Sequence, residues 1–330
     1  MLYAGMDIHK EFSHAVVKTE QGEVIKEGRI STNKKKIQRF FKEVGEEFEV
    51  AMEATGNYEF FYETLEGLAS VVHLSNPYKT RVIAEEKVKT DKIDANALAD
   101  LLRGNLLPTS YVPSKDIRDL RTIVRRRVRL AKKRTELKNQ IKHELRRHNI
   151  DYSNRSIFKE DGIQFLKELS NPIIDSHLNI YKTVDEELNN MEDVVIKEGL
   201  EYEQVKLLNT IPGIGLYSAT LIFAEIADIH RFTSEEKLFS YAGLVPTVHQ
   251  SGKNTYYGRL SRERNKYLQW ILVQAIQSHF RFCPESNISS FYRRLKKRKP
   301  NNVAKIAATR KLLQTIYHML KNNHKFRVNG

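Results

Sequence analysis

The segment that most constrains the fold runs from residue 115 to residue 150 and contains neither glycine nor proline. Apolar side chains recur along it at spacings of three and four residues, from Ile117 to Leu145, which is the period of one helix face. The pattern predicts a long amphipathic helix of about 34 residues, on the order of 50 Å in length. Such a helix must cover its apolar stripe, either with another helix of the chain or with a second copy in a coiled coil.

The same segment is strongly basic, with 14 Lys and Arg against four Asp and Glu. A second run, residues 293–311, holds nine Lys and Arg and no acid, and the whole chain has a formal net charge of +14. Runs of like charge repel one another unless an anion neutralises them, so we expect a nucleic acid as partner, ahead of an acidic membrane surface. The cations expected to contact it are Arg125, Arg126, Arg127, Arg129, Lys132, Lys133, Arg134, Arg293, Arg294, Lys296 and Lys297.

The composition excludes several other classes of protein. Hydrophobic residues make up 40% of the chain, which suits a globular protein. No stretch approaches the ~20 apolar residues of a membrane span. The single cysteine, Cys283, excludes an internal disulfide and a cysteine-based zinc site. The N-terminus lacks the basic region of a signal peptide, so we expect a cytoplasmic protein.

The chain divides into three predicted regions. Residues 1–108 are predicted to be α/β, with strands at 2–7, 14–19, 23–31, 49–54 and 70–74 and helices at 34–44, 58–68 and 90–103. Pro77 is expected to stop the chain between the last strand and the last helix. This order indicates a mixed sheet covered by helices. Residues 109–200 are expected to hold the basic helix and an irregular helical connection, and residues 201–330 to be mainly helical, with a loop at 243–258.

Four carboxylates fall at the ends of the predicted elements. Asp7 ends the first strand, Glu53 ends the fourth, and Asp91 and Asp94 share one helix face at a spacing of three residues. Clustered carboxylates repel one another, and a divalent cation with oxygen ligands neutralises them. The four acids therefore predict a site for Mg²⁺ or Mn²⁺. Taken singly, each has a simpler explanation as a turn residue, a cap or an acid that favours the helix dipole.

A serine in the predicted loop is a candidate nucleophile. Ser251 precedes Gly252, which leaves its hydroxyl accessible, and Lys253 and Arg259 could hold a phosphate. A serine hydroxyl needs activation by a base, a metal or a cationic clamp, and His249 is a nearby base. The alternative is a loop serine without chemistry.

A short glycine-containing turn follows in the helical region, at residues 211–215. Its sequence, Ile-Pro-Gly-Ile-Gly, resembles a helix-hairpin-helix turn, in which Gly213 and Gly215 would let the backbone approach a phosphate at the next helix N-terminus. A plain turn between two helices is the alternative.

Taken together and in this order, the motifs resemble the DEDD-type insertion-sequence transposases, described as bridge-RNA-guided serine recombinases. The resemblance covers nearly the whole chain. It departs at Arg264, where the family typically has a glycine. The residues that carry it are Gly5-Met6-Asp7, Met52-Glu53-Ala54-Thr55-Gly56-Asn57-Tyr58, Asn76-Pro77, Lys89-Thr90-Asp91-Lys92-Ile93-Asp94-Ala95, Ile211-Pro212-Gly213-Ile214-Gly215, Ala242-Gly243-Leu244-Val245-Pro246 and Gln250-Ser251-Gly252.

The resemblance implies a RuvC-like, RNase H-fold N-terminal domain in which Asp7, Glu53, Asp91 and Asp94 bind the metal. It implies that Ser251 forms a phosphoserine link with DNA in a mainly α C-terminal domain. It further implies a structured guide RNA that pairs with double-stranded donor and target DNA, in a prokaryotic cell and associated with its nucleoid. The acids and the serine would come from different protomers of a homodimer, or of a tetramer on synapsis, with a coiled coil along residues 115–150. No membrane partner is implied.

Two other functions remain open at this point. A metal-dependent endonuclease of the Holliday-junction type would use the four acids and an activated water, and Ser251 would then have no chemical role. A nucleic-acid-binding protein without enzymatic activity would need only the basic helices and the turn at residues 211–215.

Overall fold

The computed structural model describes residues 1–83, 90–251, 254–261 and 263–328, with the backbone alone at 248–251, 254, 255 and 257. The chain forms two compact units, Met1–Val112 and Pro113–Gly330. In the described part of the chain we find no helix whose length and apolar character would let it cross a membrane.

The N-terminal unit is a mixed sheet with helices packed on it, as the sequence predicts. The strands are β1 (Leu2–Ile8), β2 (Phe12–Lys18), β3 (Val24–Ser31), β4 (Phe48–Glu53), β5 (Val71–Ser75) and β6 (Thr109–Ser110). The helices are α1 (Lys34–Lys42), α2 (Tyr58–Leu65), α3 (Pro77–Ile83) and α4 (Asp91–Arg103). The strand order is β3-β2-β1-β4-β5-β6, with β1, β4 and β5 parallel and the other pairings antiparallel. This architecture is consistent with an RNase H-like domain.

The prediction for Pro77 was wrong, because a helix begins there. A proline suits the first position of a helix, where its missing N–H is not needed. Asn76 precedes it and accepts a hydrogen bond from the Lys79 backbone N–H through its side chain (3.2 Å). The residue that was expected to stop the chain therefore starts α3.

The two faces of β1 pack against different helices. Even-numbered side chains such as Ala4 and Met6 belong to one core with Phe41 of α1 and Phe61 of α2. The opposite face lies against α4. Side chains alternate between the faces of a strand, so the odd-numbered positions, including Asp7, lie on the α4 side.

The C-terminal unit is mainly helical and contains one two-stranded sheet. Its elements are α5 (Lys115–Arg147), α6 (Glu160–Glu168), α7 (Pro172–Gly199), α8 (Glu203–Leu208), α9 (Leu216–Ile226), a 3-10 helix (Ile229–Arg231), α10 (Glu235–Tyr241), β7 (Pro246–Ser251), β8 (Asn254–Leu260), α11 (Lys266–Phe282), α12 (Asn287–Lys296) and α13 (Asn301–Asn322).

The long basic helix is confirmed as α5, and other helices of the same chain cover its apolar stripe. Its first half, including Val124 and Val128, belongs to the main core of the unit together with α9, α11 and α13. Its second half, including Ile141, packs with α6 and α7. Residues 151–200 form the expected helical connection, but most of it is regular rather than irregular. It contains α7, a helix of 28 residues whose first turn is capped by the Asn171 side chain.

The segment predicted as a loop at residues 243–258 contains the β7–β8 hairpin. The strands pair antiparallel, with Gln250 opposite Thr255 and Ser251 opposite Asn254. Ser251 is therefore the last residue of β7, at the tip of the hairpin. The glycines suggested a loop, but β-branched and aromatic residues such as Thr247, Thr255 and Tyr256 favour strands.

Candidate active site

The candidate site of the N-terminal unit lies at the carboxyl ends of two parallel strands. β1 and β4 are paired up to Met6 and Met52, so Asp7 and Glu53 occupy the next positions on neighbouring strands. Both alternate onto the sheet face that α4 covers. Asp7 is buried, whereas Glu53 is half-buried. The topology thus delivers two of the four predicted acids to one edge of the sheet.

Gly5 lets α4 lie directly on β1. A Cβ atom at this position would be 2.0 Å from the Ala95 carbonyl oxygen and 2.6 Å from the Ala99 nitrogen, which are backbone atoms of α4. Any side chain at residue 5 would therefore push the helix away. The close approach places the first turn of α4, with Asp91 and Asp94, beside the end of β1. Thr90 caps this turn by accepting a hydrogen bond from the Ile93 N–H (3.2 Å).

An imidazole lies between two of the carboxylates. His9 Nε2 is 3.1 Å from Asp7 Oδ2 and 3.2 Å from Asp91 Oδ1. One ligand atom from each of these three residues lies within 4.8 Å of the other two. Among the described residues, this is the group of His, Cys, Asp and Glu side chains close enough to share one metal ion, and it does not include Glu53 or Asp94.

Sequence reasoning missed His9. The signal available in the sequence was its spacing from Asp7, because residues two apart in extended chain lie on the same side. A half-buried histidine just beyond a strand has several simpler explanations, and its second contact, with Asp91, is visible only in the folded chain.

The charge of Asp7 is costly in this position. Burial raises the pKa of its carboxyl group, and the hydrogen-bonded imidazole of His9 opposes the increase. The negative charges of Asp91 and Asp94 raise the pKa of Asp7 further. Asp94 therefore contributes to the electrostatics of the cluster although it lies outside the three-residue group. A divalent cation would relieve this repulsion.

The donor set fits a divalent metal ion. Carboxylate oxygens suit hard cations such as Mg²⁺ and Mn²⁺, whereas an imidazole nitrogen shifts preference towards transition metals. Asp7 and Asp91 already converge on one point, and Glu53 and Asp94 are on the elements that border it. The donor chemistry therefore supports the predicted divalent-metal site.

The predicted serine site lies in the other unit. The backbone places Ser251 at the end of β7; the side chains of Ser251 and His249, and the whole of Gly252 and Lys253, lie outside the described residues. Arg259 is an exposed residue of β8, and its carbonyl oxygen accepts a hydrogen bond from Thr247 Oγ1 (3.1 Å).

Among the cations predicted to contact nucleic acid, Lys133 pairs with Glu136 on the same helix (3.2 Å). Three others pair with carboxylates of other helices. Arg125 donates to both oxygens of Glu225, Arg127 pairs with Glu192, and Arg134 donates to Asp185 (2.7 Å). Their carboxylate partners lie on α7 and α9, so these ion pairs hold α5 in place. Apart from these three, the predicted cations are all exposed: Arg126, Arg129, Lys132, Lys133, Arg293, Arg294, Lys296 and Lys297.

Packing accounts for the first glycine of the turn at residues 211–215. Gly213 has a φ of +90°, and a Cβ atom there would be 2.5 Å from the His279 backbone nitrogen on α11. This position needs a glycine whether or not a phosphate binds nearby. Gly215 precedes the first turn of α9 and has open space around it.

A mixed sheet with carboxylates at the ends of its parallel strands, in a chain that also has a helical unit with exposed cations, is typical of enzymes that cut and join nucleic-acid strands. Comparison with protein families identifies two matches. The family model DEDD_Tnp_IS110, described as "Transposase", matches residues 4–150, and the model "Transposase IS116/IS110/IS902 family" matches residues 205–293. The chain belongs to this family of insertion-sequence transposases, which are enzymes of DNA cleavage and transfer.

Several curated relatives are similar over most of the chain. The transposase for insertion sequence element IS1111A of Coxiella burnetii is 25% identical over 290 residues, covering 84% of this chain and 79% of the relative. A probable family 20 transposase of Pseudomonas aeruginosa is 24% identical, covering 84% and 85%. A pilin gene-inverting protein of Moraxella bovis is 32% identical over 126 residues, covering 37% and 38%.

Proposed function

We propose that this transposase cuts and rejoins DNA through a covalent phosphoserine link at Ser251. Asp7, Glu53, Asp91 and Asp94 would hold Mg²⁺ or Mn²⁺, which would polarise the scissile phosphate. The observation that carries the proposal is the convergence of Asp7 and Asp91 at the edge of the sheet. The motif around Ser251, which belongs to the resemblance described above, supports the serine as nucleophile.

The proposed reaction exchanges one phosphate ester for another. Ser251 Oγ forms a bond to phosphorus, the bond between phosphorus and one sugar oxygen breaks, and the serine proton ends on that sugar oxygen. A sugar hydroxyl of the second DNA then reverses the step and releases the serine. The phosphate ester is never hydrolysed, so the strands can rejoin without a high-energy cofactor.

The proposed partners are double-stranded donor and target DNA and a structured guide RNA. The exposed cations of α5 and α12, together with Lys253, Arg259 and the turn that holds Gly213 and Gly215, are the surfaces proposed to contact them. A homodimer, or a tetramer on synapsis, would bring the acids of one protomer to the serine of another. The bacterial sources of the relatives agree with action in a prokaryotic cell, and association with the nucleoid would follow from DNA binding.

The test compares the protein with its Ser251→Ala variant, using DNA substrates, a matched RNA and Mg²⁺. We expect the unmodified chain to form a protein–DNA species that survives denaturation and the variant to form none, although both bind DNA. A covalent species that persists in the variant would show that Ser251 is not the nucleophile.

A metal-dependent endonuclease is the second candidate, because the acid cluster of the N-terminal unit needs no serine to activate water. It predicts free DNA ends with no protein attached after denaturation. Ser251→Ala would then retain cleavage, whereas Asp7→Asn would lose it under both hypotheses.

A further inference from the structure

A buried glutamate in the C-terminal unit is hydrogen-bonded to both ends of the segment between α10 and α11, which contains the β7–β8 hairpin. Glu225, on α9, has no solvent exposure. Arg125 of α5 binds it through two hydrogen bonds, Nε to Oε1 and Nη2 to Oε2, both 2.7 Å long. Burial opposes the charge of Arg125, but the bonds to Glu225 outweigh it and raise the pKa of the guanidinium. Arg125 therefore stays charged in this pair.

Asn265 connects the ion pair to the far end of the hairpin. Its Nδ2 donates to Glu225 Oε2 (2.7 Å), and its Oδ1 accepts from the N–H groups of Tyr267 and Leu268. Asn265 follows β8 and is the N-cap of α11. The point at which the chain leaves the hairpin is thus fixed to Glu225 and to the start of α11.

Tyr241 connects the same cluster to the near end. It is the last residue of α10, before the chain enters β7. Its hydroxyl donates to the Glu225 carbonyl oxygen (3.1 Å) and accepts from Asn265 Nδ2 (2.9 Å). The Asn265 backbone N–H also donates to the Tyr241 carbonyl oxygen (2.8 Å). The residues that flank the segment 242–264, Tyr241 and Asn265, are therefore hydrogen-bonded to each other and to Glu225.

A second contact just inside this closure explains the departure at Arg264. Gly243 has a φ of +66°, and a Cβ atom there would be 2.4 Å from Arg264 Cδ. The Gly243 carbonyl oxygen accepts from Gln269 Nε2 of α11 (2.8 Å). The arginine that replaces the expected glycine thus has room because Gly243 has no side chain, and it adds contact between the two ends of the segment.

A buried ion pair is a poor source of net stability, because desolvation cancels most of its attraction and an apolar pair would serve as well. In this position the ion pair matters because its hydrogen bonds have a defined geometry. The bidentate hydrogen bonds from Arg125 and the third hydrogen bond from Asn265 fix the orientation of the Glu225 carboxylate at the base of the hairpin. We propose that Glu225 is a positioning residue that fixes the base of the β7–β8 hairpin and so the position of Ser251; this second clause rests on the role proposed above for Ser251.

The test uses three variants and one control. Glu225→Gln keeps the shape and removes the charge, Asn265→Ser keeps a capping oxygen and removes the amide, and Tyr241→Phe removes one hydroxyl. Tyr241→Phe is the mildest and keeps the test informative if Glu225→Gln does not fold. The control is Glu192→Gln, which removes the partner of Arg127 and so loosens α5 from α7 without touching the hairpin.

Two measurements separate the hairpin from the chemistry. Amide hydrogen exchange across residues 246–260 is expected to rise about tenfold in the three variants and to stay unchanged in the control. The rate of covalent protein–DNA formation at saturating DNA is expected to fall by about 10- to 100-fold, because displacement by ~1 Å costs that much, while the DNA dissociation constant stays within about twofold.

Each outcome decides a separate point. Unchanged exchange in all three variants would overturn the positioning role, whatever Ser251 does. Faster exchange with an unchanged covalent rate would show that the position of Ser251 does not depend on Glu225. If Ser251→Ala still forms the covalent species, the proposed function fails, and the exchange measurement still decides whether Glu225 fixes the hairpin.

Discussion

Replacing Gly5 by alanine tests whether the approach of α4 to β1 builds the metal site. The new methyl group would lie 2.0 Å from the Ala95 carbonyl oxygen, whereas ordinary contact begins at 3.4 Å. The helix must therefore withdraw by about 1.4 Å, the difference between these two distances. Overpacking of this kind costs about 1–3 kcal/mol of folding stability. The withdrawal also moves Asp91 and Asp94 away from Asp7, so we expect weaker metal binding.

The assay is calorimetric titration of Mn²⁺ into the protein, with thermal unfolding measured in parallel. We expect Gly5→Ala to bind Mn²⁺ at least about tenfold more weakly and to melt at a lower temperature. Gly28→Ala, on β3 of the same sheet, is the matched control, because its methyl group would meet Phe40 at 3.4 Å, an ordinary contact. If Gly5→Ala bound Mn²⁺ as tightly as the control, the position of α4 would not govern the site, and our account of Gly5 would be wrong.

Three further predictions concern the metal site, the basic helix and a buried histidine. His9→Ala is expected to weaken Mn²⁺ binding about tenfold and Mg²⁺ binding less, because imidazole favours transition metals; equal losses in a calorimetric titration would contradict a direct contact. Arg126→Gln combined with Arg129→Gln is expected to reduce the salt dependence of DNA binding by about 1.8 log units per log unit of salt, whereas Arg134→Gln, which removes an internal ion pair, should leave this slope unchanged. Burial lowers the pKa of His279, so the unfolded chain takes up a proton that the folded chain resists. The stability that this provides is present above about pH 6.5 and falls by up to about 1.4 kcal/mol per pH unit below it, until the pH reaches the folded pKa; urea unfolding should show the stability gap between the protein and His279→Gln narrowing as the pH falls.

The parts of the site that could be predicted are those set by strand and helix periods. Asp7 and Glu53 could be placed at the ends of strands, and Asp91 and Asp94 on one helix face, from local patterns alone. The order of the elements then brings them to one edge of the sheet. His9 could not be found this way, because its role depends on Asp91, which is far away along the chain.

The same limit explains why the partners of the basic residues could not be predicted. Arg125 lies 100 residues before its partner Glu225, and Arg134 lies 51 residues before Asp185. A run of basic residues in a sequence does not indicate which side chains will form an ion pair with a carboxylate of another helix. The hairpin at residues 246–260 could not be predicted for a different reason, because its glycines favour a loop while its β-branched and aromatic residues favour strands.

The helical period of α5 nevertheless separates the cations that pair with other helices from many of the exposed ones. Arg127 and Arg134 are seven residues apart, which places both on the face that meets α7. Arg126, Arg129 and Lys133 follow one another at spacings of three and four residues, and all three are exposed. They therefore form a single cationic stripe about 10 Å long. Phosphates along one DNA strand are separated by about 3.4 Å along the helix axis, so the stripe matches a few successive phosphates. Pairing with other helices thus narrows a diffuse basic run to a smaller set of exposed cations, and this stripe is where contact of α5 with a nucleic acid should be sought first.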